Sequence, residues 1–176
     1  MGTSQSCIAY WSSDRLYAKV IKCNHQRTVP SYVTFDPITR HVYAGHEAKS
    51  LSDRYPHNSI YNMKRLISQS SPSSIPDLPY LPYSLIFDPD HPSPFISISY
   101  YSAMRKGGKH RKEAMEEKRY SVEDVCSRLL HHLKQMAEEY FEGRQVKDVV
   151  ITVPAYFSSS QKSSVLSSAL LSGLHV

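Results

Sequence analysis

The sequence is poor in the features that mark several large classes of protein. It has only three cysteines, and no two of them form a CxxC pair, so a disulfide framework and a zinc site are disfavoured and free thiols are expected. No apolar run approaches membrane-spanning length, and the first residues lack the basic and apolar regions of a signal peptide. His131 and His132 are adjacent and point about 100° apart on a helix, and the other seven histidines are scattered without HExxH or comparable spacing, so no metal site is predicted. We expect a soluble cytoplasmic protein with no membrane partner.

The residues that are abundant indicate a folded globular chain. Of the 176 residues, 40% are apolar and 11% are aromatic, including 13 tyrosines, which argues against intrinsic disorder. A chain of this length can bury a hydrophobic core, and it suits one domain or two small subdomains.

A net charge of +5 is compatible with a nucleic-acid partner, so the positions of the basic residues along the chain matter. Most of the excess lies between Arg105 and Arg119, which hold seven Lys or Arg residues and three Glu. The run MRKGGKHRK has glycines at its centre and little aromatic interleaving, which favours a solvated hairpin tip or loop. An anion contact or a nuclear-import patch is the alternative. We expect no nucleic-acid partner.

The last quarter of the chain predicts a strand, a tight turn and a helix. Residues 149–153 are an uninterrupted β-branched run, typical of a strand buried on both faces, and Pro154 ends it. Ser158 and Gln161 form a capping box, and the helix that follows ends at Gly173. The predicted buried side of this helix consists of Val165, Leu166, Ala169 and Leu170.

Early antiparallel strands followed by helices are predicted for the rest of the chain. The predicted strands cover residues 7–11, 16–21, 31–35, 41–44, 85–87 and 95–101. Short helices are predicted at 47–53 and, with Asn58 as a cap, at 60–67. The longest helix begins at a second capping box, Ser121 with Asp124, and ends before Gly143.

The stretch TVPAYFSSSQKSSVLSSALLSGLHV resembles the heat-shock protein 70 (DnaK-type) chaperones, and three further blocks match them in the same order. These blocks are residues 2–7, a phosphate loop; residues 27–33, RTVPSYV; and residues 63–67, MKRLI. The resemblance implies the first lobe of an actin-like ATPase (ribonuclease H-like) fold, a mixed α/β class. It implies a core subdomain at 1–46 and 111–176, with a smaller outer α+β subdomain at 47–110.

The resemblance also implies a nucleotide site. Gly2, Thr3, Ser4 and Gln5 correspond to the loop that binds phosphate, where a glycine lets the backbone approach the anion. Lys64 corresponds to the catalytic lysine, which stabilises charge on the γ-phosphate and orients the attacking water.

Two alternatives come from the residues alone. The first six residues fit the myristoylation pattern, with Cys7 as a second acylation site. Lys64 with Arg65 is also compatible with a solvent-facing basic pair on a small amphipathic helix.

The chain departs from the family pattern at several positions. Met1 stands where the family has a strand and an Asp-Leu pair, so we expect either missing upstream residues or a loop that does not work as a site. Gln5 replaces a frequent tyrosine, and Met63 and Ser68 replace an alanine and a glycine on either side of the lysine.

The resemblance implies an allosteric relay at Pro154 and Lys162, which pass the nucleotide state to the substrate-binding side. Lys162 stands at a position usually held by arginine, and lysine lacks the bidentate fork of a guanidinium. A purely structural interpretation has equal weight: Pro154 ends a strand, and Lys162 is an exposed lysine on a helix.

For the complete protein the resemblance implies an ATP-dependent chaperone that uses ATP/ADP and Mg²⁺. Its partners would be unfolded polypeptide clients, J-domain co-chaperones and nucleotide exchange factors. We expect this 176-residue chain to bind nucleotide weakly or not at all and to lack ATPase activity. The alternatives are a diverged regulator that binds nucleotide without hydrolysis, and an interaction module built on the proline-rich residues 70–94 and the basic patch.

Overall fold

The computed structural model describes residues 1–23, 25–101 and 115–176, and these form a mixed α/β fold. The strands are β1 Gln5–Ser6, β2 Ile8–Ser12, β3 Tyr17–Ile21, β4 Val29–Pro30, β5 Val33–Phe35, β6 Val42–Ala44, β7 Ser59–Ile60, β8 Ser84–Ile86, β9 Phe95–Tyr101 and β10 Met115–Ser121. The helices are α1 His46–Leu51, α2 Val122–Tyr140 and α3 Ser159–Leu171. The basic run at 104–112, predicted as a loop, lies outside these ranges.

The strands form small antiparallel sheets, and the predicted strands before residue 102 are all confirmed. Strand β2 pairs with β3, the sheet order β6-β5-β7 follows, and β8 and β10 flank β9. In β9 the side chains alternate between buried and half-buried, with Ile96, Ile98 and Tyr100 turned inward. This alternation is the two-residue period of a strand with one face on the core.

One buried apolar cluster joins the sheets to the helices. Phe35 and Ile98 from two of the sheets meet Val125 and Leu129 of α2, and each is fully buried. Each such side chain contributes about 1.5–3 kcal/mol through removal of its surface from water. The cluster draws on residues of both predicted subdomains, and the boundaries 1–46, 47–110 and 111–176 stay a prediction.

Both predicted capping boxes are confirmed. The Ser121 hydroxyl accepts the Asp124 N–H at the start of α2, and the Asp124 carboxylate accepts the Ser121 N–H in return. Ser158 and Gln161 make the same reciprocal pair at the start of α3. Such caps satisfy backbone donors that have no partner inside the helix.

The predicted buried strand at 149–153 is wrong. The segment's ladder contacts are Val149 N–H to the His175 carbonyl at 2.8 Å and His175 N–H to the Lys147 carbonyl at 2.7 Å. Val150 is 90% exposed, while Val149, Ile151 and Val153 pack partly against the core. A strand is buried on both faces only where other elements flank it, and in the described ranges this segment is covered on one side.

The predicted helix at 60–67 is also wrong. Residues Met63–Arg65 form a single 3-10 turn, which follows β7. Asn62 has a left-handed backbone with φ 57°, which stops any helix from passing through it. Asn58 does not cap a helix; its buried amide donates to the carbonyls of Phe35 and Ser99 at 3.0 and 2.8 Å and so ties two sheets together.

The buried side of α3 differs from the predicted side. Val165 and Ala169 are buried as predicted, but Leu166 and Leu170 are 45% and 65% exposed. Their expected places are taken by Ser164 and Ser168, two buried serines. The Ser168 hydroxyl donates to the Ser164 carbonyl at 2.8 Å, and this internal hydrogen bond makes its burial tolerable.

His132 lies half-buried on α2, and its surroundings oppose protonation. Burial lowers the pKa of His132 below its ordinary value, and the neighbouring imidazoles of His46 and His131 act in the same direction. The carboxylates of Glu47 and Glu139 raise the pKa, but burial has the larger effect.

We predict that the stability of the chain falls as the pH drops below about 6.5, the ordinary pKa of histidine. The unfolded chain binds a proton at His132 that the folded chain resists, so the stabilisation present above this pH is lost as the pH falls toward the lower folded pKa. Urea denaturation at about pH 7.5 and about pH 5.5 measures the difference. His132→Gln should reduce it, whereas His131→Gln, an exposed neighbour on the same helix, should keep it; equal pH dependence of parent and His132→Gln would contradict the prediction.

Candidate functional site

The first residues form a tight turn that leads into β1. A Cβ atom on Gly2 would lie 2.0 Å from the Gln5 carbonyl oxygen, so only glycine fits this close approach. Thr3 and Ser4 occupy the bend, and Gln5 begins the strand that pairs with β4. The four residues predicted to contact phosphate therefore form one short loop.

Two buried serines hold this loop in place. The Ser31 hydroxyl donates to the Gly2 carbonyl at 2.9 Å, and the Ser31 N–H donates to the Ser4 carbonyl at 2.9 Å. The Gly2 N–H donates to the Ser6 hydroxyl at 3.2 Å, and the two serine hydroxyls lie 2.9 Å apart. Because Ser6 and Ser31 are only 3% and 1% exposed, the loop rests on a closed hydrogen-bond network.

Lys64 lies beside the loop. Its ammonium donates to the Met1 carbonyl at 3.1 Å, one residue before Gly2. The side chain is half-buried, and burial lowers the pKa of the ammonium below its ordinary value. The interpretation of Lys64 as a solvent-facing residue does not fit this position, whereas Arg65 is exposed and pairs with Asp77.

The Lys64 ammonium lies over the aromatic ring of Phe157. The nitrogen lies 5.7 Å from the ring centroid, within the range of a cation–π contact. Phe157 is 6% exposed and directly precedes Ser158, the cap of α3. The start of α3 therefore contacts the lysine that the sequence singles out.

The two predicted relay residues are placed differently. Pro154 starts the turn that ends at Phe157, whose N–H donates to the Pro154 carbonyl at 3.1 Å. Pro154 is thus one turn from the ring that contacts Lys64. Lys162 is exposed on the first turn of α3. No ion pair involves it within the part of the chain that the structure describes.

The arrangement fits a phosphate group. Across the three described ranges, the hydroxyls of Thr3 and Ser4 make no hydrogen bond to the protein, so they can donate to an anion. The half-buried ammonium of Lys64 is less screened than a surface charge, which strengthens its attraction for phosphate oxygens. In the same ranges, no group of three or more His, Cys, Asp or Glu side chains could hold a metal ion.

Sequence reasoning missed two residues of this site. Ser31 lies in the RTVPSYV block, and its hydroxyl between Pro30 and the run Tyr32-Val33 is the available signal. Phe157 belongs to the TVPAYF stretch, and nothing in the sequence pattern indicates its contact with Lys64.

Known proteins match this chain along its full length. A family model described as Hsp70 protein matches residues 1–176. Heat shock cognate 70 kDa protein 3 of Dictyostelium discoideum is 33% identical over 180 residues, and all of this chain covers 26% of that protein.

Two further relatives give similar matches. Heat shock 70 kDa protein 2 of Paracoccidioides lutzii is 32% identical, with the whole chain covering 24% of it. Heat shock protein 70 homolog of Acanthamoeba polyphaga mimivirus is 30% identical, with the whole chain covering 18% of it. The chain therefore spans about a quarter or less of the length of these relatives.

None of the helices in the described ranges is long and apolar enough to cross a membrane.

Proposed function

Because the chain belongs to the Hsp70 family, whose model matches residues 1–176, we propose that it supplies one lobe's share of a nucleotide site. Family membership confirms the predicted fold class, the mixed α/β first lobe of an actin-like ATPase fold. The observation that supports the site is the contact of the Lys64 ammonium with the Met1 carbonyl at 3.1 Å, at the edge of the Gly2–Gln5 loop.

In the proposed site, the loop donates hydrogen bonds to phosphate and the lysine supplies positive charge. The backbone and hydroxyls of Thr3 and Ser4 donate to phosphate oxygens, while Gly2 allows the close turn and Gln5 offers its backbone N–H. Lys64 carries the positive charge that stabilises a transferred phosphoryl group. With ATP bound, Mg²⁺ would neutralise charge on the phosphates that these residues hold; Mg²⁺ commonly binds through substrate phosphates and water, so the lack of a ligand cluster in the described ranges does not conflict with this.

The activity and partners of a complete protein are proposals that go beyond this chain. We propose a cytoplasmic chaperone in which ATP hydrolysis drives binding and release of unfolded polypeptide, assisted by J-domain co-chaperones and nucleotide exchange factors. Support comes from the family and from relatives named heat shock 70 kDa proteins. Pro154 and Lys162 are the proposed relay residues, and the turn from Pro154 to Phe157 supports a role for the first.

We predict that the isolated chain binds Mg-ADP weakly and does not turn over ATP, because one lobe offers few of the contacts that a nucleotide needs. Release of inorganic phosphate from ATP by the purified chain measures turnover. Lys64→Met is the blank that reveals contaminating ATPase. Turnover of several equivalents by the parent that Lys64→Met abolishes would contradict the one-lobe proposal.

A second candidate function is an interaction module that uses the proline-rich segment. Tyr80 in this segment is 83% exposed, between Pro79 and Pro82 of two overlapping PxxP pairs. Against it, Ile75 and Tyr83 are buried, so the segment is folded onto the core. Capture of a partner that is lost on replacing Pro79 and Pro82 by alanine, in a chain that does not bind nucleotide, would favour this function.

A further inference from the structure

The first turn of α3 and the residue before its cap contact the segment that carries Lys64 at three points. The Phe157 ring lies 5.7 Å from the Lys64 ammonium. The Gln161 side-chain amide donates to the Ile67 carbonyl at 3.4 Å. The Ser68 hydroxyl lies 2.9 Å from that of Ser160, which makes the third contact.

Ser68 is the member of this set with the most constrained surroundings. Its backbone adopts φ 54°, a left-handed conformation that costs any residue with a Cβ energy that glycine does not pay. Its hydroxyl also lies 3.2 Å from the hydroxyl of Ser164, so it contacts two successive turns of α3.

The backbone of Ser68 is anchored on the opposite side. Its N–H donates to the Ser93 hydroxyl at 3.0 Å, and Ser93 donates to the Glu123 carboxylate at 2.7 Å. Ser93 and Glu123 are 1% and 8% exposed. A continuous hydrogen-bonded path therefore runs from α2 through Ser68 to α3, and it passes the end of the turn that bears Lys64.

We propose that Ser68 is a positioning residue for Lys64. The hydroxyl of Ser68 fixes the lysine-bearing turn to the first two turns of α3. The role rests on the proposed function of Lys64 as a phosphate ligand. Left-handed residues bracket the turn, Asn62 before it and Ser68 after it, so its orientation depends on contacts at both ends. Contact with α3 at Ser68 holds the ammonium over the Phe157 ring and beside the Met1 carbonyl.

The test uses a probe that reports on Lys64 without nucleotide. Reductive methylation with ¹³C-formaldehyde keeps the positive charge of lysine and gives each side chain an NMR signal. Lys64→Arg identifies the Lys64 signal by its loss. In the parent, the ring of Phe157 should displace this signal from those of exposed lysines.

Ser68→Ala and the double variant Ser160→Ala with Ser164→Ala remove the same contact from its two sides. Ser68→Gly removes it and relieves the backbone strain. All three should move the Lys64 signal toward the position of exposed lysines and weaken Mg-ADP binding about threefold to tenfold, as expected for one or two neutral hydrogen bonds. Ser71→Ala is the matched control, because its hydroxyl contacts only Ser73 among the residues that the structure describes.

The result that overturns the proposal is a Lys64 signal that stays at the parent position in Ser68→Ala and in the double variant. Failure of the proposed function looks different, because then Mg-ADP leaves the Lys64 signal of the parent unchanged. A shift of equal size in Ser71→Ala would also overturn the proposal, since it would show that the signal does not report on the contact with α3.

Discussion

Replacing Gly45 by alanine should lower the free energy of unfolding by about 2–6 kcal/mol. Gly45 precedes α1 with φ 71° and ψ −132°, a backbone conformation open almost only to glycine, and enforcing it on alanine costs about 1–3 kcal/mol. The added Cβ would also lie 2.7 Å from Val29 Cγ1 and 2.8 Å from His132 Nε2, and such overpacking costs about 1–3 kcal/mol more.

Thermal denaturation measures this effect, and the chain offers a matched control. Gly143 after α2 also has a positive φ of 87°, but a Cβ there would meet nothing within 4 Å. Gly143→Ala should therefore cost only the backbone term, about 1–2 kcal/mol. The expected melting temperature of Gly45→Ala lies roughly 10 °C below that of the parent. Equal losses in the two variants would show that contact with Val29 and His132 adds nothing.

Replacing Lys64 by methionine should remove measurable binding of Mg-ADP. A hydrogen bond from a charged group contributes about 1.5–3 kcal/mol, which corresponds to about 10–150-fold in affinity. Because the binding of one lobe is weak at the outset, such a loss moves it beyond the range of titration. Methionine fills a similar volume, and the half-buried site accepts an apolar side chain without a large change in stability.

The neighbouring residue provides the control for Lys64. Arg65→Gln removes a positive charge from the same turn, but this side chain is 59% exposed and pairs with Asp77. Loss of an exposed and paired surface charge of this kind has little effect on binding. Equal weakening of Mg-ADP binding in both variants would indicate a general electrostatic attraction in place of a specific contact.

The parts of the fold that follow from the sequence depend on contacts between near neighbours. A capping box links a serine to a residue three positions later, and both boxes, at Ser121 and Ser158, are confirmed. The alternation of Ile96, Ile98 and Tyr100 is equally local, and it identified β9. In these cases the sequence pattern and the physical interaction cover the same few residues.

The errors arise where distant contacts decide the local structure. The amide of Asn58 serves carbonyls 23 and 41 residues away, so it could not cap the helix that its sequence position indicates. The run at 149–153 has the composition of a buried strand, yet only pairing partners can bury it, and composition does not reveal them. The apolar stripe does not mark the buried side of α3, because the hydroxyls of Ser164 and Ser168 find partners within the fold.

In the candidate site, too, distant contacts decide what local sequence patterns do not. Resemblance to a family identified Lys64 and the Gly2–Gln5 loop, while hydrophobic periodicity alone could not say whether the lysine points outward or inward. The contact of Lys64 with Met1 spans 63 residues, and that of Ser31 with Gly2 spans 29. Such contacts are properties of the folded chain, and no local pattern encodes them.

The most direct test of the half-site is a titration of the parent chain with Mg-ADP, followed by backbone amide NMR. We predict saturable changes at millimolar nucleotide in the signals of Thr3, Ser4, Gln5 and Lys64. An equal concentration of adenosine, which lacks phosphate, should leave these signals unchanged. A well-folded chain in which Mg-ADP shifts none of the four signals would contradict the account.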